Sequence, residues 1–278
     1  MRGHSLAVHV VLSSLASVWC SVAVGATLPL VRTFPTPSLW QNGLTFVGDD
    51  LWLWDVGVPN TFYVLDPSDG HVRATYLAPE TWGGAGLTYD GEFLWGCAGG
   101  TELRLFVRMD PRDGSVIQSY PLPVPEATGL TFDGTNLWVS QIDGYTIAAV
   151  DPATGSVIRT IKKEPYYSFD LAWDGQALWL AAFERGDPYR YFLYQIDPLT
   201  GATLHVYDGP PGGPGGMAIK DELLYVTSWW DNQVYVYEIP EPASFLFATL
   251  GWAIMGFRKA GGLLQIGARC NGRVPAVH

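Results

Sequence analysis

Apolar and polar positions along the chain follow one ten-residue phrase that keeps returning. Gly43-Leu44-Thr45-Phe46 reads as a short strand, Gly48-Asp49 as a tight turn, and Leu51-Trp52 opens a second strand. The phrase recurs as Gly86-Leu87-Thr88-Tyr89 to Leu94-Trp95, as Gly129-Leu130-Thr131-Phe132 to Leu137-Trp138, and as Asp170-Leu171-Ala172-Trp173 to Leu178-Trp179. A degenerate fifth copy runs from Gly216-Met217-Ala218-Ile219 to Leu224-Tyr225. The closing aromatics are spaced 43, 43, 41 and 46 residues apart, which is the length of one propeller blade.

A second phrase lies about fourteen residues after each Trp, farther where the intervening loop is long. It reads Asp66-Pro67-Ser68-Asp69-Gly70, Asp110-Pro111-Arg112-Asp113-Gly114, Asp151-Pro152-Ala153-Thr154-Gly155 and Asp197-Pro198-Leu199-Thr200-Gly201. Asp-Pro presets a turn, and Gly accepts the left-handed conformation that returns the chain as a hairpin. β-branched and aromatic runs flank each phrase, so each unit holds four strands. The fifth unit stops after three, at Val234-Tyr235-Val236-Tyr237, while Leu30-Val31-Arg32-Thr33-Phe34-Pro35 resembles the outer strand Val157-Ile158-Arg159-Thr160-Ile161. The expected fold is all-β: a five-bladed β-propeller of four-stranded blades, spanning 27–238 and closed by its N-terminal strand. Closure removes the open sheet edge, and a monomer is expected.

Charge divides the chain of 278 residues into three parts. Residues 1–26 and 243–278 contain no acid, whereas 27–242 hold all 27 acids against 11 bases, a net of −16. A body this acidic disfavours nucleic-acid partners, and 48% hydrophobic with 14% aromatic residues excludes a disordered chain. The apolar stretch Leu6–Val24 behind Arg2, ending at Val24-Gly25-Ala26, reads as a secretory signal peptide over 1–26. Between the two ends Cys97 stands alone, so neither a disulfide nor a cysteine metal site can form there.

Repetition also separates scaffold from candidate chemistry. Trp52, Trp95, Trp138 and Trp179, with Asp90, Asp133, Asp174 and the Asp-Pro acids, recur in the units and belong to the scaffold. Both hairpin phrases lie on one face of the ring, so the other connections form the opposite face. These non-repeating loops hold Trp40-Gln41-Asn42, Asp55, Trp82, Glu126, Asp143, Glu164 to Tyr167, Glu184 to Tyr189 and Trp229-Trp230-Asp231. Aromatic planes beside carboxylates and amides suit stacking on a sugar or another flat polar ligand. Trp40, Asn42, Trp82, Asp170, Trp229, Trp230 and Asp231 are the candidate ligand-binding residues. Asp170 replaces the Gly of the other units and is expected at the mouth of the central channel. There, with Asn42 and backbone carbonyls, it could contribute to a calcium site; no other cofactor is expected. His71 and His205 follow Asp-Pro hairpins on outer strands, and no nucleophile-elbow, zinc-protease or nucleotide-binding motif occurs.

Two resemblances add to this reading. Pro240-Glu241-Pro242, an uncharged span Ala243–Phe257 and Arg258-Lys259 resemble the sorting tail of PEP-CTERM proteins over 239–259. The resemblance implies export by a Gram-negative bacterium, transient anchoring in the inner membrane, processing by an exosortase and release to the cell surface or extracellular matrix. Residues 260–278 follow as a tail without an assigned role. Trp40-Gln41-Asn42-Gly43-Leu44 with Leu51-Trp52 is similar to the start of plant-type glutamine cyclotransferases, which are five-bladed propellers. Asn42 stands where that family has Gln, and Leu53 where it has its acid/base Glu. Virginiamycin-lyase-like propellers share a similar repeat, but their histidine chemistry has no obvious counterpart here. The leading expectation is therefore an exported, non-enzymatic propeller that binds a glycan, peptide or matrix component. Left open are a lyase, hydrolase or cyclotransferase using a loop-face carboxylate, and a purely structural matrix protein.

Overall fold

The computed structural model describes residues 25–80, 85–99, 104–142, 144–163, 167–184 and 189–240. These residues form twenty strands in five antiparallel four-stranded sheets, with no helix among them. The first blade is β2 (Gln41–Val47), β3 (Asp50–Asp55), β4 (Thr61–Leu65) and β5 (Val72–Leu77). The second is β6 (Ala85–Tyr89), β7 (Leu94–Gly99), β8 (Arg104–Met109) and β9 (Val116–Ser119). The third is β10 (Ala127–Phe132), β11 (Leu137–Gln141), β12 (Thr146–Val150) and β13 (Val157–Lys162). The fourth is β14 (Tyr167–Trp173), β15 (Leu178–Glu184), β16 (Arg190–Ile196) and β17 (Thr203–Asp208). The fifth combines β18 (Pro214–Lys220), β19 (Leu223–Ser228) and β20 (Gln233–Glu238) with β1 (Leu30–Pro35) as its outer strand.

β1 completes the fifth sheet by pairing Leu30 with Tyr237 and Pro35 with Gln233. Its likeness to β13 extends to contacts. Arg32 donates to the Pro67 carbonyl of the first blade at 3.0 Å, and Arg159 to the Pro198 carbonyl of the fourth at 2.7 Å. In both cases the outer-strand arginine fastens its blade to the Asp-Pro turn of the next.

Four units present their Trp, and the fifth its Tyr225, to the space between blades, and the core is correspondingly divided into five inter-blade clusters. Trp95, Trp138 and Trp179 are at most 1% exposed, and removing an indole from water contributes roughly 4–6 kcal/mol of transfer free energy. A buried indole N–H needs an acceptor, and the repeated Asp supplies it. The Trp95, Trp138 and Trp179 Nε1 groups donate to Asp90, Asp133 and Asp174 at 2.6, 2.7 and 2.7 Å. The second oxygen of each carboxylate accepts two backbone N–H groups of the following turn, as Asp133 does from Thr135 and Asn136. One acid thus fixes both the hairpin and the core aromatic, which explains why the Asp and Trp recur together.

The Asp-Pro turns use their acids in a similar way. Asp66 accepts from the Ser68 N–H and hydroxyl, and Asp110 from the Arg112 side chain and N–H. These bonds pull both carboxyls down to about 2. Cys97 is fully buried and burial pushes its thiol up, so it behaves as a small apolar core residue.

Replacing Asp133 by Ala leaves the Trp138 indole N–H and two turn amides without their acceptor. We expect a loss of about 1–3 kcal/mol in urea-unfolding free energy. An unchanged midpoint would show that water replaces the carboxylate without cost.

Candidate functional site

The five inner strands β2, β6, β10, β14 and β18 converge on the axis, and the repeated Gly lets them come close. A methyl group at Gly129 would lie 2.8 Å from the Asp170 backbone, and one at Gly216 would collide with the Asn42 carbonyl. Asp170 in β14 is the exception among these positions, and it fills the space that the glycines leave. It is 0% exposed; Oδ1 accepts the Leu130 N–H at 3.1 Å and Oδ2 the Met217 N–H at 2.8 Å. Burial pushes its carboxyl well above the usual range, while backbone N–H groups of Met217, Leu171, Leu130 and Leu44 pull the other way.

The sequence placed Asp170 at an open channel mouth; the structure buries it at the centre of the ring. Its nearest partners are N–H donors of four blades, which suit an anion and not the directly coordinated calcium expected there. Asn42 is also buried, at 9% exposure.

The loop face is built by the remaining turns. β2, β10 and β14 each carry a bulge just before the axial position, at Asn42, Thr128 and Phe169 respectively. Bulges re-aim side chains, and in the fourth blade the bulged residue is aromatic. Phe169 packs against Phe183 of β15 at 5.3 Å between centroids and meets Trp229 edge-on at 4.6 Å. Phe183 also stacks on Tyr167 at 4.8 Å, its cross-strand partner, and meets Tyr189 at 5.7 Å. Tyr167, Phe169, Phe183 and Trp229 are half-buried and Tyr189 is exposed, so one continuous run of rings crosses from the fourth blade to the fifth.

Trp229 extends the run to the first blade, because its Nε1 donates to the Gln41 carbonyl at 2.6 Å. The Gly/Pro-rich connection from β17 to β18 holds the turn carrying it: Trp229 and Trp230 N–H donate to the Gly213 and Gly212 carbonyls at 3.0 and 3.1 Å. Trp230 beside it is 76% exposed. Asp231 is half-buried and accepts the Tyr235 hydroxyl at 2.6 Å; burial first, then this carboxylate, pushes Tyr235 up to about 12.

Trp40 is 65% exposed above the first blade, and Gly57 separates its indole from Asp55. Asp55 is 8% exposed and accepts the Gly57 N–H at 2.8 Å. Burial pushes its carboxyl up, against hydrogen bonds from Gly57 and Ser38. Two residues before it, Leu53 is fully buried, so the position of the cyclotransferase acid holds an apolar core residue.

Trp82, Asp143, Glu164 to Tyr166, Glu241, Pro242, Arg258 and Lys259 lie outside the described residues, as does residues 1–24 of the expected signal peptide. Pro240, the last described residue, is exposed. Among the described residues no group of three or more His, Cys, Asp or Glu side chains could hold a metal ion. The sequence reading missed Phe169 and Phe183. The signal was present: β14 carries Phe169 where β10 has Thr128.

No protein-family model matches the sequence, and no curated protein matches it. Solved structures do match. Glutaminyl cyclase of Myxococcus xanthus is 16% identical with a TM-score of 0.61, over 77% of this chain and 100% of that one. The nidogen/laminin complex is 14% identical with a TM-score of 0.50, over 72% of this chain and 76% of that one. At these identities the likeness shows the fold.

The Asp170 environment fixes the sign of a pH effect. Because its folded pKa is raised, the stability it contributes is fully present below 3.8, the ordinary value, and is lost as pH rises through the folded pKa. Relative to Asp170→Asn, which does not titrate, the unfolding free energy should fall by up to about 1.4 kcal/mol per pH unit across that window. Chemical denaturation from pH 4 to 8 measures it. A difference independent of pH would mean that the four N–H groups outweigh burial and hold the carboxylate ionised throughout.

Proposed function

We propose that the protein is an exported, non-enzymatic propeller whose loop face binds a glycan at the bacterial surface or in the extracellular matrix. The observation that carries this reading is the continuous, partly exposed aromatic run Tyr189, Phe183, Tyr167, Phe169 and Trp229 across the fourth and fifth blades. Sugar rings present apolar C–H faces that stack on aromatic planes, while their hydroxyls need polar partners at the rim. Asp231 and the exposed Trp230 stand at one end of the run. At the axis Asp170 is enclosed by backbone N–H donors.

A peptide or matrix component is the alternative ligand for the same surface. The enzymatic alternative would rest on Asp55, the buried loop-face carboxyl beneath Trp40. The sorting motif at Pro240-Glu241-Pro242 with Arg258-Lys259, the basic stop after the span, supports export, transient inner-membrane anchoring and exosortase processing. The N-terminal signal supports the same route.

Trp230→Ala and Tyr189→Ala remove exposed rings without touching the core, at 76% and 60% exposure. Each is expected to weaken binding of the best glycan from a bacterial polysaccharide and oligosaccharide panel about tenfold, or about 1.4 kcal/mol by calorimetry, with Tm unchanged. Wild-type affinity in both variants would move the binding surface elsewhere. Mass spectrometry of the incubated ligands covers the alternative, since conversion abolished by Asp55→Asn would make the protein an enzyme. Intact-mass analysis of the exported protein is expected to show loss of residues 243–278; a product retaining them would remove the sorting reading.

A further inference from the structure

At the rim of the fourth blade the chain is already part of the fold before β1 begins. Ala26 joins the outer edge of β17: its N–H donates to the Val206 carbonyl at 3.0 Å and its carbonyl accepts the Asp208 N–H at 2.9 Å, a parallel bridge opposite Tyr207. Leu28 then turns inward, 2% exposed, and packs with Trp179, Tyr207 and Tyr237 between the fourth and fifth blades. The Pro29 carbonyl accepts the Glu238 N–H at 2.9 Å, and the chain passes into β1 of the fifth blade. Residues 26–35 therefore clasp two adjacent blades across their seam.

Gly25 belongs to the clasp as well. It is buried, and a methyl group there would lie 2.8 Å from the Asp208 backbone nitrogen and 2.9 Å from the Tyr207 carbonyl carbon. Neither neighbour is the free end of a side chain that could swing aside, so the fold itself demands glycine at this position.

These contacts conflict with removal of a signal after Ala26. A cut there discards Gly25 and Ala26 and returns the Val206 carbonyl and the Asp208 N–H to water. It also leaves Gly25 without a reason, because a signal peptidase reads small side chains at the first and third positions before the cut and not the one between them. Three residues upstream the chain offers a second site of that kind, Ser21-Val22-Ala23, with a small side chain at both outer positions, whereas Val24-Gly25-Ala26 begins with the bulkier valine.

We propose that the signal is removed after Ala23, so that the mature protein begins at Val24 and keeps Gly25 and Ala26 as part of the clasp. The proposal rests on the export reading above. The cut is hydrolysis of the Ala23–Val24 peptide bond by a signal peptidase: water supplies the oxygen of the new Ala23 carboxylate, and Val24 departs with the new α-amino group. The signal is thus three residues shorter than the one expected from sequence.

The full chain, expressed with its own N-terminus and recovered after export, tests the boundary by mass spectrometry of its N-terminal peptide. The expected first residue is Val24. Thr27 in its place would overturn the proposal and leave the export reading standing, whereas recovery of the uncut chain alone would overturn both. Ala26→Lys puts a long cation on an exposed position of the clasp and should still be cut before Val24; blocked cleavage would make Ala26 the recognised residue and sink the proposal. Gly25→Val gives a readout independent of the cut itself. It should lower the Tm of the exported protein by roughly 2–4 °C, because the crowding against Asp208 persists in the mature chain. An unchanged Tm would contradict retention of the clasp, since a substitution in a discarded signal leaves the mature protein identical.

Discussion

Five strands meet at the axis of this molecule, and one buried carboxyl occupies the space between them. Asp170 accepts N–H groups from the third and fifth blades and interacts with those of the first and of its own strand. An uncompensated buried charge is costly and so is an unpaired buried amide, so each side of this arrangement requires the other. The repeated Gly is the complement: with side chains at those positions the inner strands could not approach. The central acid therefore couples the blades of a ring whose periphery is held by independent Asp–Trp pairs.

The same strand carries the other distinguishing feature. Phe169, the residue before Asp170, sits at a bulge, and from it the aromatic run extends through Phe183 to Tyr167 and Tyr189 and across to Trp229. The fourth blade thus breaks the repeat twice in succession, once at the axis and once on the loop face. A repeat that tolerates conservative copies elsewhere but departs here concentrates its individuality at one end of β14. This is where a rigid scaffold is best placed to hold a ligand surface, since neighbouring strands already fix the backbone.

Much of this was legible in the sequence because it is periodic. The phrase spacing fixed the number of blades, and the likeness of Leu30–Pro35 to the third outer strand foretold its pairing, whereas the matching contacts of Arg32 and Arg159 were seen only in three dimensions. The turn acids were readable as scaffold, though not that Asp90, Asp133 and Asp174 also bind the indoles. Depth was not readable. Asp170 stood out by breaking the repeat, yet only three-dimensional convergence shows that the position is enclosed by N–H groups and not open to solvent. The aromatic run was missed for a related reason: Tyr167, Phe169, Phe183 and Trp229 are far apart in sequence or separated by a bulge, and period-two patterning assigns a bulged residue to the wrong face.

The account stands or falls on where a ligand makes contact. Hydrogen–deuterium exchange of the protein, free and saturated with its best-binding glycan, addresses this most directly. The expected footprint is added protection over residues 167–171 and 226–231, with the hairpin face unchanged. Protection confined to the Asp-Pro and Asp-Gly turns, or none at saturating glycan, would contradict the loop-face reading.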